Sequence, residues 1–191
     1  MRIFKEDKVT KFIKNLEDGI LRYAKYANEF EKEIKSKEEI AFKRYDEYKR
    51  TKAERYKQVA LDTYASVKFD EGFFIIANKS VLLLTELKKA IKLGVITEQE
   101  LDRIISSTNK LLSRNPIEWY RKREEFYEVY DDIKSRIPWP TPETPRLEKT
   151  EIPIRELERE LEERWLQWKG ISEEKLRKLP EPPKEREKEK A

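Results

Sequence analysis

The chain has no cysteine and no histidine among its 191 residues. A disulfide framework is therefore impossible, and so are thiolate or imidazole metal sites. The usual nucleophilic and acid–base arrangements are closed for the same reason. So is the Glu-x-x-His pair of di-iron bundles. Glycine is scarce, and the 4 glycines stand alone at positions 19, 72, 94 and 170, which leaves no phosphate-cradling loop. That scarcity also argues against a turn-rich β fold. All prolines except Pro116 lie at or beyond residue 138. No apolar run reaches the roughly 18 residues that span a bilayer, because Asn78, Lys79, Glu86, Lys88 and Lys89 interrupt the best candidate. Residues 1–12 lack the apolar region of a signal peptide. These absences predict a non-enzymatic protein without cofactor, metal, membrane span or small-molecule substrate. It is expected to be soluble and intracellular, in the cytoplasm or, if viral, in a virion.

What the chain has is charge. Charged residues make up 43%, with 43 basic against 39 acidic and a net charge of +4; mean hydropathy is −0.94. Such a chain cannot fill a wide core, but it can build long amphipathic helices that share a narrow seam. The Lys/Glu balance is the one thermophilic proteins tend towards.

Val9, Ile13, Leu16, Ile20, Tyr23, Ala27, Phe30 and Ile34 follow alternating steps of four and three, a heptad seam that predicts a helix over 5–35. A bundle helix is the plain reading, an intermolecular coiled coil the other. Ser36-Lys37-Glu38-Glu39 has the form of a capping box, so a second helix is expected over 36–67, marked by Ala41, Tyr45, Tyr48, Tyr56, Val59, Thr63 and Val67. No Gly or Pro enforces that break. Asp70 and Gly72 read as a joint. A third helix over 72–93 carries two apolar lines, Phe74, Ala77, Val81, Leu84, Lys88, Ile91 and Phe73, Ile76, Leu83, Leu87, Ala90. Apolar residues on more than one face place it at the centre. Gly94 ends it as a left-handed C′ residue. Thr97 and Glu100 cap a fourth helix, with Ile96 and Leu101 at the staple positions. Asn115 and Pro116 start a fifth, which runs to residue 137 before Pro138.

The span 87–112 resembles the short helical oligomerisation module called SHOCT, through Gly94, Val95, Ile96, Thr97, Glu100, Leu101, Leu111 and Leu112. Leu101 stands where that family usually has Phe, and Ser106-Ser107 where it has basic residues. The resemblance implies self-association.

Residues 138–153 form a Pro-rich extended strap, in which an exposed Trp139 would be wasteful. Ile154, Leu157, Leu161, Trp165 and Trp168 then mark an amphipathic arm helix closed by Gly170, with a last turn capped at Ser172 that packs Leu176 and Leu179. Residues 180–191 read as a disordered charged tail. The expected architecture is an all-α, elongated bundle of about five helices (1–137), followed by strap (138–153), arm helix (154–179) and tail (180–191). A helix of this length is marginal alone and needs a groove, on its own chain or on a neighbour.

One basic cluster stands out: Lys43, Arg44, Lys49, Arg50, Lys52, Arg55 and Lys57, interleaved with Tyr45, Tyr48 and Tyr56. Lys43, Arg50 and Lys57 fall seven apart, hence on one face of a continuous helix. Such a face could follow phosphates without reading bases. Two readings therefore stand. The first is a self-associating structural protein, a homo-oligomer docked through Trp139, Leu157, Leu161, Trp165 and Trp168, in the manner of a virion or nucleoprotein coat subunit of a thermophilic archaeal system. The alternative is a nucleic-acid-binding regulator that uses residues 43–57.

Overall fold

The computed structural model describes residues 2–147 and 152–178. The described residues are all helix and connection. Two long helices, α1 (Arg2–Thr51) and α2 (Glu54–Lys92), form an antiparallel hairpin. At 1.5 Å per residue α1 is about 75 Å long. Three shorter helices, α3 (Glu98–Leu112), α4 (Pro116–Arg121) and α5 (Arg123–Arg136), pack on the open end. The sixth, α6 (Ile154–Lys178), lies across the hairpin near its tip.

The seam predicted for α1 is real, and it faces its own chain. All eight stripe residues are buried or half-buried. The predicted breaks are not real. Helix α1 runs straight through residue 36. The capping-box residues serve instead as rungs between helices: Lys37 pairs with Asp70 on α2 at 2.7 Å, and Glu38 with Arg164 on α6. Nor is Asp70 a cap. Its carboxylate is buried and held by Lys37. Gly72 is not a joint but a contact. A Cβ there would meet the Tyr120 ring at 2.3 Å, so its missing side chain is what admits α4. Local capping signals are worth about 1 kcal/mol, and tertiary contacts overrode them.

The chain reverses instead at Lys52-Ala53, with neither Gly nor Pro. Lys52 is the one non-glycine residue with positive φ (58°) among those described. Its N–H donates to the Tyr48 carbonyl at 2.7 Å, the bond of a left-handed helix cap. A side chain in that region costs about 1–2 kcal/mol. Lys52→Gly is therefore expected to stabilise the fold by about 1 kcal/mol, as a raised melting temperature in calorimetry. A lower one would show that the Lys52 side chain contributes more than its backbone costs.

The turn between α2 and α3 is as expected. Gly94 has φ 68°, and the Val95 and Gly94 N–H groups donate to Ala90 and Ile91 carbonyls. The Thr97 side chain accepts from the Glu100 N–H. Asn115 caps α4 through the Glu118 N–H at 2.8 Å, with Pro116 in the first turn. The helix expected over 115–137 is two, broken at Lys122, which adopts φ −115° and ψ 47°. At the other end, α6 continues through Gly170 to Lys178. The stop predicted there and the new start at Ser172 are absent, because a lone glycine costs a helix only about 1 kcal/mol. Leu179 and the tail lie outside the described residues, as does the side chain of Leu176.

Two cores result. The base core joins Phe12 and Leu16 of α1, Leu83, Leu84, Leu87 and Ile91 of α2, and Ile104, Trp119, Phe126 and Ile133 of α3 to α5. Both apolar lines of α2 are buried or half-buried, which confirms its central position. Tyr23 and the Trp119 indole each donate to the Leu111 carbonyl at 2.8 Å, satisfying the end of α3. The tip core joins residues of α1, α2 and α6.

Candidate functional site

The tip groove is lined by Ala41, Phe42 and Tyr45 on α1 and by Ala60, Leu61, Tyr64 and Val67 on α2. Two alanines at its floor let a third helix approach closely. Leu157, Leu161 and Trp165 of α6 fill it, and Trp168 lies half-buried with its ring 6.0 Å from that of Phe42. Trp165 sits edge-on to Tyr45 at 5.5 Å, and its indole N–H donates to Asp46. The arm residues thus dock on their own chain. Helix α6 begins against α2, where Glu158 pairs with Lys57 (2.6 Å) and Glu160 with Lys68 (2.8 Å). It passes to α1, where Glu162 pairs with Lys49 (2.6 Å) and Lys169 with Asp46 (3.3 Å). Arg164, over the middle, reaches Glu71 on α2 and Glu38 on α1. Carboxylates in the first half of α6 meet cations of the hairpin, and cations further along it meet carboxylates, so charge fixes the direction in which the arm lies. The hydrogen bonds to Glu162 and Glu158 hold Lys49 and Lys57 above the usual lysine value.

Burial raises the Tyr64 phenol from 10.0 to about 12, and that of Tyr23 in the waist equally. Unfolded, both would ionise from pH 10 upward; folded, they resist until about pH 12. Their contribution is complete below pH 10 and is lost between pH 10 and 12, with about 2 kcal/mol at stake for each. Urea melts at pH 9 and pH 11.5 are expected to show that fall. A flat profile would mean that the two hydroxyls are open to solvent.

Trp139 docks in cis as well. Its indole N–H donates to Glu86 on α2 at 2.8 Å, beside a shallow depression lined by Lys89, Lys92 and Leu93. The rest of the strap is anchored by groups that sequence reasoning missed. Lys79 is buried on α2, donates to the Thr144 carbonyl at 2.9 Å, and faces the rings of Tyr127 and Tyr130. Burial lowers its pKa, with Arg146 and Lys134 adding to the effect. Arg146 grips Asp131 with two bonds, and the Leu147 N–H donates to Tyr127. A lysine amid the apolar lines of α2 was the available signal.

The basic cluster is divided by the turn. Lys43, Arg44, Lys49 and Arg50 belong to α1 and Lys57 to α2, so the seven-residue spacing does not make one helical face. Five of the cations face carboxylates: Lys43 with Glu39, Arg44 with Glu47, Arg50 with Asp46, and Lys49 and Lys57 with the arm. Lys52 and Arg55 lie over Tyr48 and Tyr56.

No protein-family model, curated protein or solved structure matches this chain. No helix among the described residues is long and apolar enough to cross a membrane.

Proposed function

We propose that the protein is a non-enzymatic structural subunit that associates with copies of itself by exchanging α6. One observation carries this reading: the tip core is closed only by a helix from a separate, strap-tethered segment. Without α6, Tyr45, Leu61, Tyr64 and Val67 would line an open apolar groove. The strap is anchored as far as Leu147, so only residues 148–153 join it to α6. Every contact in the groove is available to the same helix from a second copy, which makes exchange a low-cost route to association. Apolar residues left in the open, Leu166 and Ile171 on α6 and Leu93 and Val95 at the base, add contact surface for neighbours. The rod is then the building block and the arm the tie, as in a coat. Nucleic-acid contact through residues 43–57 draws less support, since five of those cations already have carboxylate partners.

Exchange is tested by mixing. Asn28 is exposed on α1, and Asn28→Cys gives a labelling site in a chain without cysteine. Donor- and acceptor-labelled proteins are expected to develop energy transfer on incubation. That transfer should vanish with Leu161→Asp. No transfer between intact chains would overturn the proposal.

A further inference from the structure

The docked arm leaves a second surface, at the waist of the rod, that no described segment covers. Phe69 of α2 is 54% exposed although it is a large aromatic residue on a central helix. Its ring stands edge-on to Tyr120 of α4 at 6.0 Å, and Phe73 approaches the same ring at 5.1 Å. Gly72 between them is what lets Tyr120 come so close. The Arg123 guanidinium lies 4.4 Å from the Tyr120 ring centre. Arg121, Lys122 and Arg123 are consecutive and sit at the break between α4 and α5. Arg121 and Lys122 are exposed, and Lys122 lies near enough to Glu125 to help lower its pKa. Two nearby carboxylates are engaged elsewhere: Glu125 with Arg114 at 2.7 Å, and Glu118 with the Asn115 amide. Exposed Glu124, the third, is engaged as well.

Residues 43–57 differ, because there five of the seven cations face carboxylates of their own fold. At the waist the exposed Phe69 ring meets Tyr120, on which Arg123 stacks, and the adjoining Arg121 and Lys122 are exposed. An exposed aromatic face offers a stacking surface to an unpaired base, and the cations suit the phosphates on either side of it. A duplex keeps its bases stacked internally and could use only the charges.

We infer that Phe69, Tyr120 and residues 121–123 form a binding surface for single-stranded nucleic acid, without sequence selection. The inference does not depend on arm exchange and can fail without it.

The test is fluorescence anisotropy of the full chain with a labelled oligothymidylate at low salt, repeated across a salt series. Phe69→Ser is expected to weaken binding about tenfold. Arg121→Gln with Lys122→Gln is expected to weaken it further and to reduce the salt slope by about 1.4, or ~0.7 per phosphate contact. Lys43→Gln with Arg50→Gln, both exposed, should leave binding unchanged. Melting temperatures near that of the parent show that the variants fold. The proposal is overturned by absence of binding to the parent chain at low salt. Insensitivity to the waist variants, an equal loss in the control, or tighter binding to duplex DNA of the same length overturns it as well.

Discussion

Leu161→Asp should release the arm while leaving the base of the rod folded. Leu161 is fully buried in the tip groove, and a carboxylate there would have no partner. The chain has a cheaper response than burying that charge, which is to let α6 leave. The cost is then capped by what docking contributes. Leu157, Leu161 and Trp165 each bury a side chain worth about 1.5–3 kcal/mol, less the entropy of ordering the helix. Free of its groove, α6 is marginal in water. The expected result is a loss of far-UV helical signal and a red shift of Trp165 emission. Backbone amides of α6 and of residues 41–67 should exchange fast, while those around Leu84 and Trp119 keep their protection. Uniform loss of protection along the rod would show instead that tip and base form one cooperative unit.

Gly72→Ala should be the most damaging single methyl group in the chain. Its Cβ would stand 2.3 Å from the Tyr120 ring, and that ring is held by Phe69, Phe73 and Arg123. Overpacking of this kind costs about 1–3 kcal/mol, and here the upper part of the range is expected because a rigid ring has nowhere to turn. Gly170→Ala should have the opposite sign. Nothing lies within 4 Å of a Cβ at that position, and replacing a glycine inside a helix gains about 1 kcal/mol. Gly19→Ala should be milder than Gly72→Ala, because its obstacle is the terminal methyl groups of Leu112. Chemical melts of the three variants check the order. A Gly72→Ala protein as stable as its parent would mean that α4 does not pack against α2 at this point.

The parts legible in the sequence are those decided locally or by long periodicity. The α1 stripe needs only its own spacing. The Gly94 and Thr97 turn and the Asn115 cap are short-range chemistry, and the Leu157-Leu161-Trp165-Trp168 stripe declares an amphipathic helix. Ser36 and Asp70 misled because the same residue types serve equally as inter-helix partners, and only tertiary structure decides between the uses. The turn at Lys52 was hidden because it uses neither Gly nor Pro. Its one trace is the lack of large aliphatic residues between Tyr48 and Val59, which a continuous buried face would not tolerate. Lys79 was hidden differently, since nothing local says that a strap 65 residues later supplies its carbonyl. The waist surface was illegible for a related reason: Phe69 and Tyr120 are 51 positions apart, and only the packing of α4 on Gly72 brings them together.

Arm exchange is tested most directly by solution mass. Static light scattering should be measured over a wide concentration range, for the full chain and for a chain ending at Leu147, which keeps the strap anchors and lacks α6. Exchange requires a full chain of two or more copies and a shortened chain of one. Monomers in both cases would contradict it, and would leave α6 as the third helix of its own tip.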